Sequence, residues 1–188
     1  MRDEPANGPV TGVPGDEGLP APFSRSEFIR SATVGRLLRT YGEVLDELRA
    51  RGVLRTGNSP LGDYAERLFA GAFGWELSGN SAAGYDALGG ETRYQIKARR
   101  LATRRASRQL SALRKLPEKP FDILATVLFK SDFTVMRAAL IPHDVVVNIA
   151  RRTEHTNSWR LMLTDAVWDL AGVEDVTERL REVAAQDA

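Results

Sequence analysis

At 188 residues and 20.7 kDa, with 43% hydrophobic residues, the chain has the length of one ordinary domain able to bury a core. No segment approaches the ~20 consecutive apolar residues of a membrane-spanning helix, and the start MRDEPANG lacks the basic and apolar parts of a secretory signal, so a cytoplasmic protein with no membrane partner is expected. The absence of cysteine excludes disulfides, thiolate zinc sites and thiol nucleophiles, and with only His143 and His155 any metal would be held mainly by oxygen, which favours magnesium or manganese over zinc.

Residues 1–23 carry Pro5, Pro9, Pro14, Pro20 and Pro22 among glycines and are expected to be a disordered tail. The remainder, 24–188, is expected to form one domain. From Ser26 to about Arg51, Val34, Leu37, Leu38, Tyr41, Val44, Leu45 and Leu48 recur at helical spacing, predicting a long amphipathic packing helix that stops at Gly52. After the turn TGNSP a second helix is predicted over 61–73, with Ser59 as N-cap and Pro60 at its first position. Asp63 there reads as a favourable charge near the helix N-terminus.

Short strands are predicted at 75–78 and 85–88, with the loop GNSAAG between them, and Gly89-Gly90 signals a two-residue hairpin into a strand over 91–98. A helix is predicted over 103–115, with Ala106, Leu110 and Leu113 as its stripe and Arg104, Arg105, Arg108 and Lys115 opposite. FDILATVLF, 121–129, and FTVMRAALI, 133–141, read as a strand pair, and an amphipathic helix is expected over 173–185. Trp75, Trp159 and Trp168 read as core residues.

The formal net charge is +1, yet from Arg93 to Lys119 ten basic residues face one acid, Glu118. Such an excess within a balanced chain is what a polyanion-binding face produces. Arg99, Arg100, Arg104, Arg105, Arg108 and Lys115 are the expected nucleic-acid contacts, with Asn80 and Ser81 as further candidates in the loop. A solvated helix face, and a plain turn at Asn80-Ser81, are the structural alternatives.

With Gly89 and Gly90 as central turn residues, Asp86 would face Arg93 and Gly84 would face Gln95. Alternation then gathers Asp86, Arg93, Gln95 and Lys97 on one face, with Tyr85, Tyr94 and Ile96 on the other. Asp86 and Gln95 would be diagonal neighbours, roughly 5–8 Å apart. Glu66, at the margin of the apolar face of the second helix, is the remaining carboxylate able to lean toward them. An acid, an amide or carboxylate, and a lysine around a divalent ion suit phosphodiester hydrolysis. The structural alternative is a cross-strand Asp86–Arg93 ion pair with Lys97 and Glu66 as surface charges.

These residues resemble the PD-(D/E)XK nuclease superfamily, the restriction-endonuclease-like fold. Its acid on one hairpin strand and acid-x-lysine on the next are matched by Asp86 and Gln95-Ile96-Lys97, and its frequent helical glutamate by Glu66. The resemblance covers the core, 61–129, about a third of the chain, and implies an α/β (α+β) fold with an αβββαβ core, a mixed central sheet and extra N- and C-terminal helices. It further implies a magnesium ion, with manganese as substitute, held by Asp86, Glu66, Gln95 and the Ile96 carbonyl, with Lys97 serving the nucleophile. Gln95 departs from the usual acid, and a neutral amide holds a cation more weakly.

The expected function is therefore a metal-dependent endonuclease acting on DNA, with RNA as the other candidate substrate. A catalytically inactive nucleic-acid-binding module of the same fold, a targeting or assembly subunit, is the alternative. A protein with no nucleic-acid role is the third reading. A double-strand cut would call for a homodimer or for sequential nicking.

Overall fold

The computed structural model describes residues 25–57, 59–79, 84–103 and 105–186. The expected tail, Asn80, Ser81 and Arg104 lie outside them. The chain divides into two units, 1–44 and 45–188, with the boundary inside a helix.

The expected long helix is two, α1 (Arg25–Ser31) and α2 (Val34–Ala50), and the boundary falls within α2. The break falls at Ala32-Thr33, where the Thr33 hydroxyl accepts the Arg36 N–H at 3.3 Å and so caps the second helix. No residue of α2 is buried, and Val34, Leu38 and Tyr41 of its apolar stripe are exposed. The spacing thus predicts helical structure here, but as one helix where two form, and the expected buried stripe is absent from α2.

The second unit is mixed α/β around a mixed sheet. Helix α3 (Pro60–Phe73) begins at Pro60 as predicted, although Ser59 makes no side-chain cap. Asp63 is not merely a charge near the dipole. It is buried and accepts the Arg55 and Thr56 N–H groups at 2.9 Å each and the Thr56 hydroxyl at 3.1 Å, which clamps the preceding loop onto the helix.

After α3 come β1 (Glu76–Leu77), β2 (Ala87–Gly89), β3 (Thr92–Arg100), β4 (Leu113–Arg114), β5 (Ile123–Phe129), β6 (Val135–Pro142), α4 (His143–Ile149), β7 (Arg151–Thr153), β8 (Ser158–Arg160), β9 (Glu174–Asp175) and α5 (Thr177–Gln186). Six strands form the main sheet in the order β1-β2-β3-β5-β6-β9, parallel only between β3 and β5. A second sheet is β4-β8-β7. One core cluster joins Leu68 and Phe69 of α3 and Leu180 of α5 to Ile96, Val127 and Phe129 of the sheet. The other gathers Leu110, Leu113, Leu116, Phe121, Leu124, Leu128 and Leu161. Fully burying each such side chain contributes about 1.5–3 kcal/mol. No helix is long and apolar enough to cross a membrane among the described residues.

The predicted helix over 103–115 does not form. Residues 107–114 run alongside the segment 158–163: the Leu110 N–H donates to the Leu161 carbonyl at 2.9 Å, and the Leu163 N–H to that of Arg108 at 3.2 Å. Leu113 pairs with Trp159. The three-residue spacing of Leu110, Leu113 and Leu116 mimics a helical stripe, but it is the burial pattern of an irregular strand laid on the second core. Ser107 and Ser111 are weak helix formers, and the partner segment at 158–163 supplies the backbone bonds a helix would have made. The crossover between parallel β3 and β5 thus contains no α-helix among the described residues, which departs from the expected αβββαβ order.

The hairpin register also differs. Leu88 pairs with Arg93 and Gly89 with Thr92, so Gly90 and Glu91 are the central turn residues. The two glycines serve different ends. Gly90 has φ +61°, which only glycine adopts freely, while a Cβ on Gly89 would stand 2.8 Å from Trp75 Cδ1. A side chain at position 89 would therefore strike the Trp75 ring, and glycine leaves the backbone bare beneath it.

Candidate active site

The observed register shifts the pairing by two residues, which preserves the faces. Asp86 falls beside Gln95 instead of diagonally from it. The Gln95 amide Nε2 donates to Asp86 Oδ2, and the Ile96 backbone N–H donates to the same oxygen at 2.7 Å. Asp86 thereby takes the place of a strand partner for Ile96 where the chain bends, just before β2. The bend also overturns the expectation for Tyr85, which packs on the second core and not with Tyr94 and Ile96 on the first.

The Asp86 carboxylate is thus held by a side chain and a backbone N–H of β3, and its charge acts on Glu66 of α3. Helix α3 covers the face of Ile96, and from it Glu66 approaches. Burial and the neighbouring Asp86 charge push the Glu66 carboxyl above the ordinary carboxylate range, against the opposing pull of Arg55. Arg55 forms an ion pair with Glu66 and donates to the Ser78 carbonyl at 3.4 Å, while the Ser78 N–H donates to the Asp86 carbonyl at 2.9 Å. Arg55 was not foreseen. It lies in a loop, and no local pattern marks it as the partner of a helix residue eleven positions on.

Lys97 follows Gln95 on the same face of β3 by alternation and is half-buried. Among the described residues it forms no ion pair or side-chain hydrogen bond, so neither Asp86 nor Glu66 neutralises it. Ile96 anchors the strand in the core.

The expected face-mate Arg93 is engaged elsewhere. Its guanidinium and its backbone N–H donate to the Asp122 carboxylate at 3.0–3.1 Å, and the Asp86–Arg93 ion pair does not form. These bonds hold Asp122 down to about 2. A depressed carboxyl stabilises the fold above its unfolded value near pH 4, and that stability is lost as pH falls through about 2. With the pair about a third exposed, we expect it to contribute about 1–2 kcal/mol after solvent screening. Urea denaturation at pH 7 and at pH 2.5 should show Asp122→Asn destabilised at pH 7 and its deficit shrinking at the lower pH. An equal deficit at both would mean that the lost contacts are not charge-dependent.

The predicted nucleic-acid residues separate into two groups. Arg108 is held by Asp165 at 2.7 Å and Lys115 has Glu118 at 3.8 Å. Arg99 and Arg105 are exposed, the former with its Nε–H donated to the Ser107 carbonyl at 3.0 Å, and Arg100 lies over the Phe133 ring at 4.8 Å. His143 Nε2 donates to the Leu116 carbonyl at 2.9 Å, a structural bond.

The donor set at the hairpin end is thus two carboxylates, Asp86 and Glu66, with an amide and backbone carbonyls nearby, all hard oxygen donors suited to magnesium or manganese. Among the described residues no group of three or more His, Asp or Glu side chains is arranged to hold a metal, so the acidic component is a pair. Burial first and the Asp86 charge second raise Glu66, and both are costs of a bare carboxylate that a bound cation would offset. No protein-family model matches the chain, and no curated protein matches it.

Proposed function

We propose that the chain is a metal-dependent nuclease of the restriction-endonuclease-like kind, hydrolysing phosphodiester bonds in DNA. The observation that carries this reading is Asp86 at the hairpin end, bonded to Gln95 and to the Ile96 N–H two and one residues before Lys97 on β3, with its charge acting on Glu66 of α3. Proteins separate like charges unless something uses them.

Asp86 and Glu66 would hold a magnesium ion, with Gln95 and the Ile96 carbonyl as neutral oxygen donors. Bound there, magnesium supplies charge neutralisation at the scissile phosphate and a water of lowered pKa. Lys97 offers its ammonium to the attacking water or to the charge developing on the phosphate. Gln95 fixes the Asp86 carboxylate by its N–H bond, and presents its oxygen only when the amide turns over. Arg55 holds Glu66 and, through the Ser78 carbonyl, ties it to the strand that leads to Asp86.

The same contacts favour a second reading, a nucleic-acid-binding module without catalysis, since Gln95 and Arg55 already satisfy both carboxylates. Cleavage of supercoiled, linear, single-stranded and branched DNA in magnesium, then manganese, separates the two. Gln95→Glu sharpens the test by adding a third carboxylate. We expect it to tighten manganese binding by about tenfold, a difference of about 1.4 kcal/mol, measured by calorimetry, and to keep or raise cleavage. Tighter metal binding in a variant that, like the wild type, cuts nothing would establish the module.

A further inference from the structure

The small sheet gathers arginines that the hairpin end does not use. Arg151 on β7 stands directly opposite Arg160 on β8, and Arg114 on β4 opposite Ser158. Alternation along β8 puts Arg114, Arg151 and Arg160 on one face and Leu113 and Trp159 on the other, where Leu113 is buried in the second core. Like charges directly opposed across strands destabilise a sheet. No acid offsets them: among the described residues Arg99, Arg114, Arg151 and Arg160 form no ion pair, whereas Arg93, Arg108, Arg137 and Arg181 all do.

Two clefts meet at this face. One, of about 550 Å³, is lined by Arg99, Arg114 and Arg160 with the hydroxyls of Ser107, Ser111 and Thr156. The other, of about 710 Å³, shares Arg160 and adds Arg151 and Arg152. Neither has an aspartate or glutamate in its lining, although a third cleft beside α5 mixes its arginines with Glu174, Asp175 and Glu178. Gln95, Lys97 and Arg99 alternate along one face of β3, so the first cleft begins where the candidate active-site strand ends.

We propose that Arg99, Arg114, Arg151 and Arg160 form a track for the phosphate backbone of a nucleic-acid strand, leading from the hairpin end across the outer face of the small sheet. Guanidinium groups with hydroxyl donors beside them are the contacts that position a phosphate chain without reading its sequence. Concave clefts joined at one arginine suit a chain of phosphates, whereas a lipid surface is flat. The proposal rests on the nucleic-acid part of the reading above and not on catalysis.

The test is fluorescence anisotropy with labelled single-stranded and duplex DNA in EDTA, titrated over salt. Combined Arg114→Ala, Arg151→Ala and Arg160→Ala substitutions should weaken binding by at least about tenfold near 0.1 M salt and lower the log–log salt slope by about two to three, roughly one per lost contact. Replacing the same three by lysine should keep most of the slope. Arg151→Gln alone should weaken DNA binding and lower the slope by about one while raising the thermal midpoint, because it relieves the opposed charges; a folding defect would move that midpoint the other way. Because the assay is run in EDTA, where no magnesium-dependent cleavage occurs, its outcome is independent of the catalytic reading. An alanine triple variant that folds and binds with wild-type affinity and slope would overturn the proposal. So would a wild-type protein that binds phosphatidylserine vesicles but neither DNA form.

Discussion

Asp86→Asn and Lys97→Met should each lower magnesium-dependent DNA cleavage by about a thousandfold while leaving DNA affinity in EDTA within about twofold. Removing one group that meets charge developing in a transition state typically costs about 10²–10³ in rate, and loss of a metal-holding carboxylate falls at the upper end. These substitutions are chosen against the alanine versions for a structural reason. Asp86 Oδ2 accepts the Ile96 N–H, so Asp86→Ala would orphan a backbone donor at about 1–3 kcal/mol. An asparagine keeps an oxygen there to accept the Ile96 N–H while removing the charge and turning the other oxygen into an NH2 donor. Methionine likewise keeps the apolar stem of half-buried Lys97 and deletes its ammonium. Far-UV circular dichroism and the thermal midpoint should match the wild type. If both variants cut as fast as the wild type, any nuclease activity resides elsewhere in the chain.

The acidic site was legible in the sequence because strand alternation survives an even shift in register. Placing Gly89 and Gly90 at the turn centre gives a pairing two residues from the observed one, which keeps Gln95 and Lys97 on one face and moves Asp86 from a diagonal to a direct neighbour of Gln95. Reading both glycines as turn residues overlooks that one is demanded by a ring. That demand comes from Trp75, fourteen residues away, and no local pattern carries it.

Arg93 shows the opposite case. Its partner, Asp122, lies across the parallel β3–β5 pairing, with Tyr94 in register with Ile123. Pairing between parallel strands is set by the crossover, and here residues 107–114 of the crossover run alongside 158–163 in place of the predicted helix. The charge excess from Arg93 to Lys119 was visible as composition, but which arginines stay unpaired depends on acids remote in sequence. Asp165 takes Arg108 from 57 residues away. The arginines left free are joined by Arg151 and Arg160, which the sequence places far from the basic stretch and the small sheet brings beside Arg114.

Trp75→Ala should destabilise the protein by about 3–5 kcal/mol, the largest effect we expect on stability. Trp75 is 8% exposed and stacks between Phe73, with centroids 4.9 Å apart, and Tyr94, at 3.7 Å, with Phe69 at 5.7 Å. Each stacked pair adds about 0.5–1.5 kcal/mol beyond its buried area. The ring also lies over Gly89, and this makes the prediction specific. Gly89→Ala in the wild type forces a methyl against Trp75 Cδ1 at 2.8 Å and Nε1 at 2.9 Å, overpacking expected to cost about 1–3 kcal/mol. In the Trp75→Ala background the same substitution should cost under about 0.5 kcal/mol, because the indole is gone and Tyr94, at 3.0 Å, is free to turn into the space. Urea midpoints with an unchanged slope give the three differences, and the cycle should show a coupling well above the ~0.5 kcal/mol scatter of independent sites. Additive effects would mean that Gly89 is fixed by strand conformation alone. In that event the Trp75 ring would not be what requires a bare backbone at position 89.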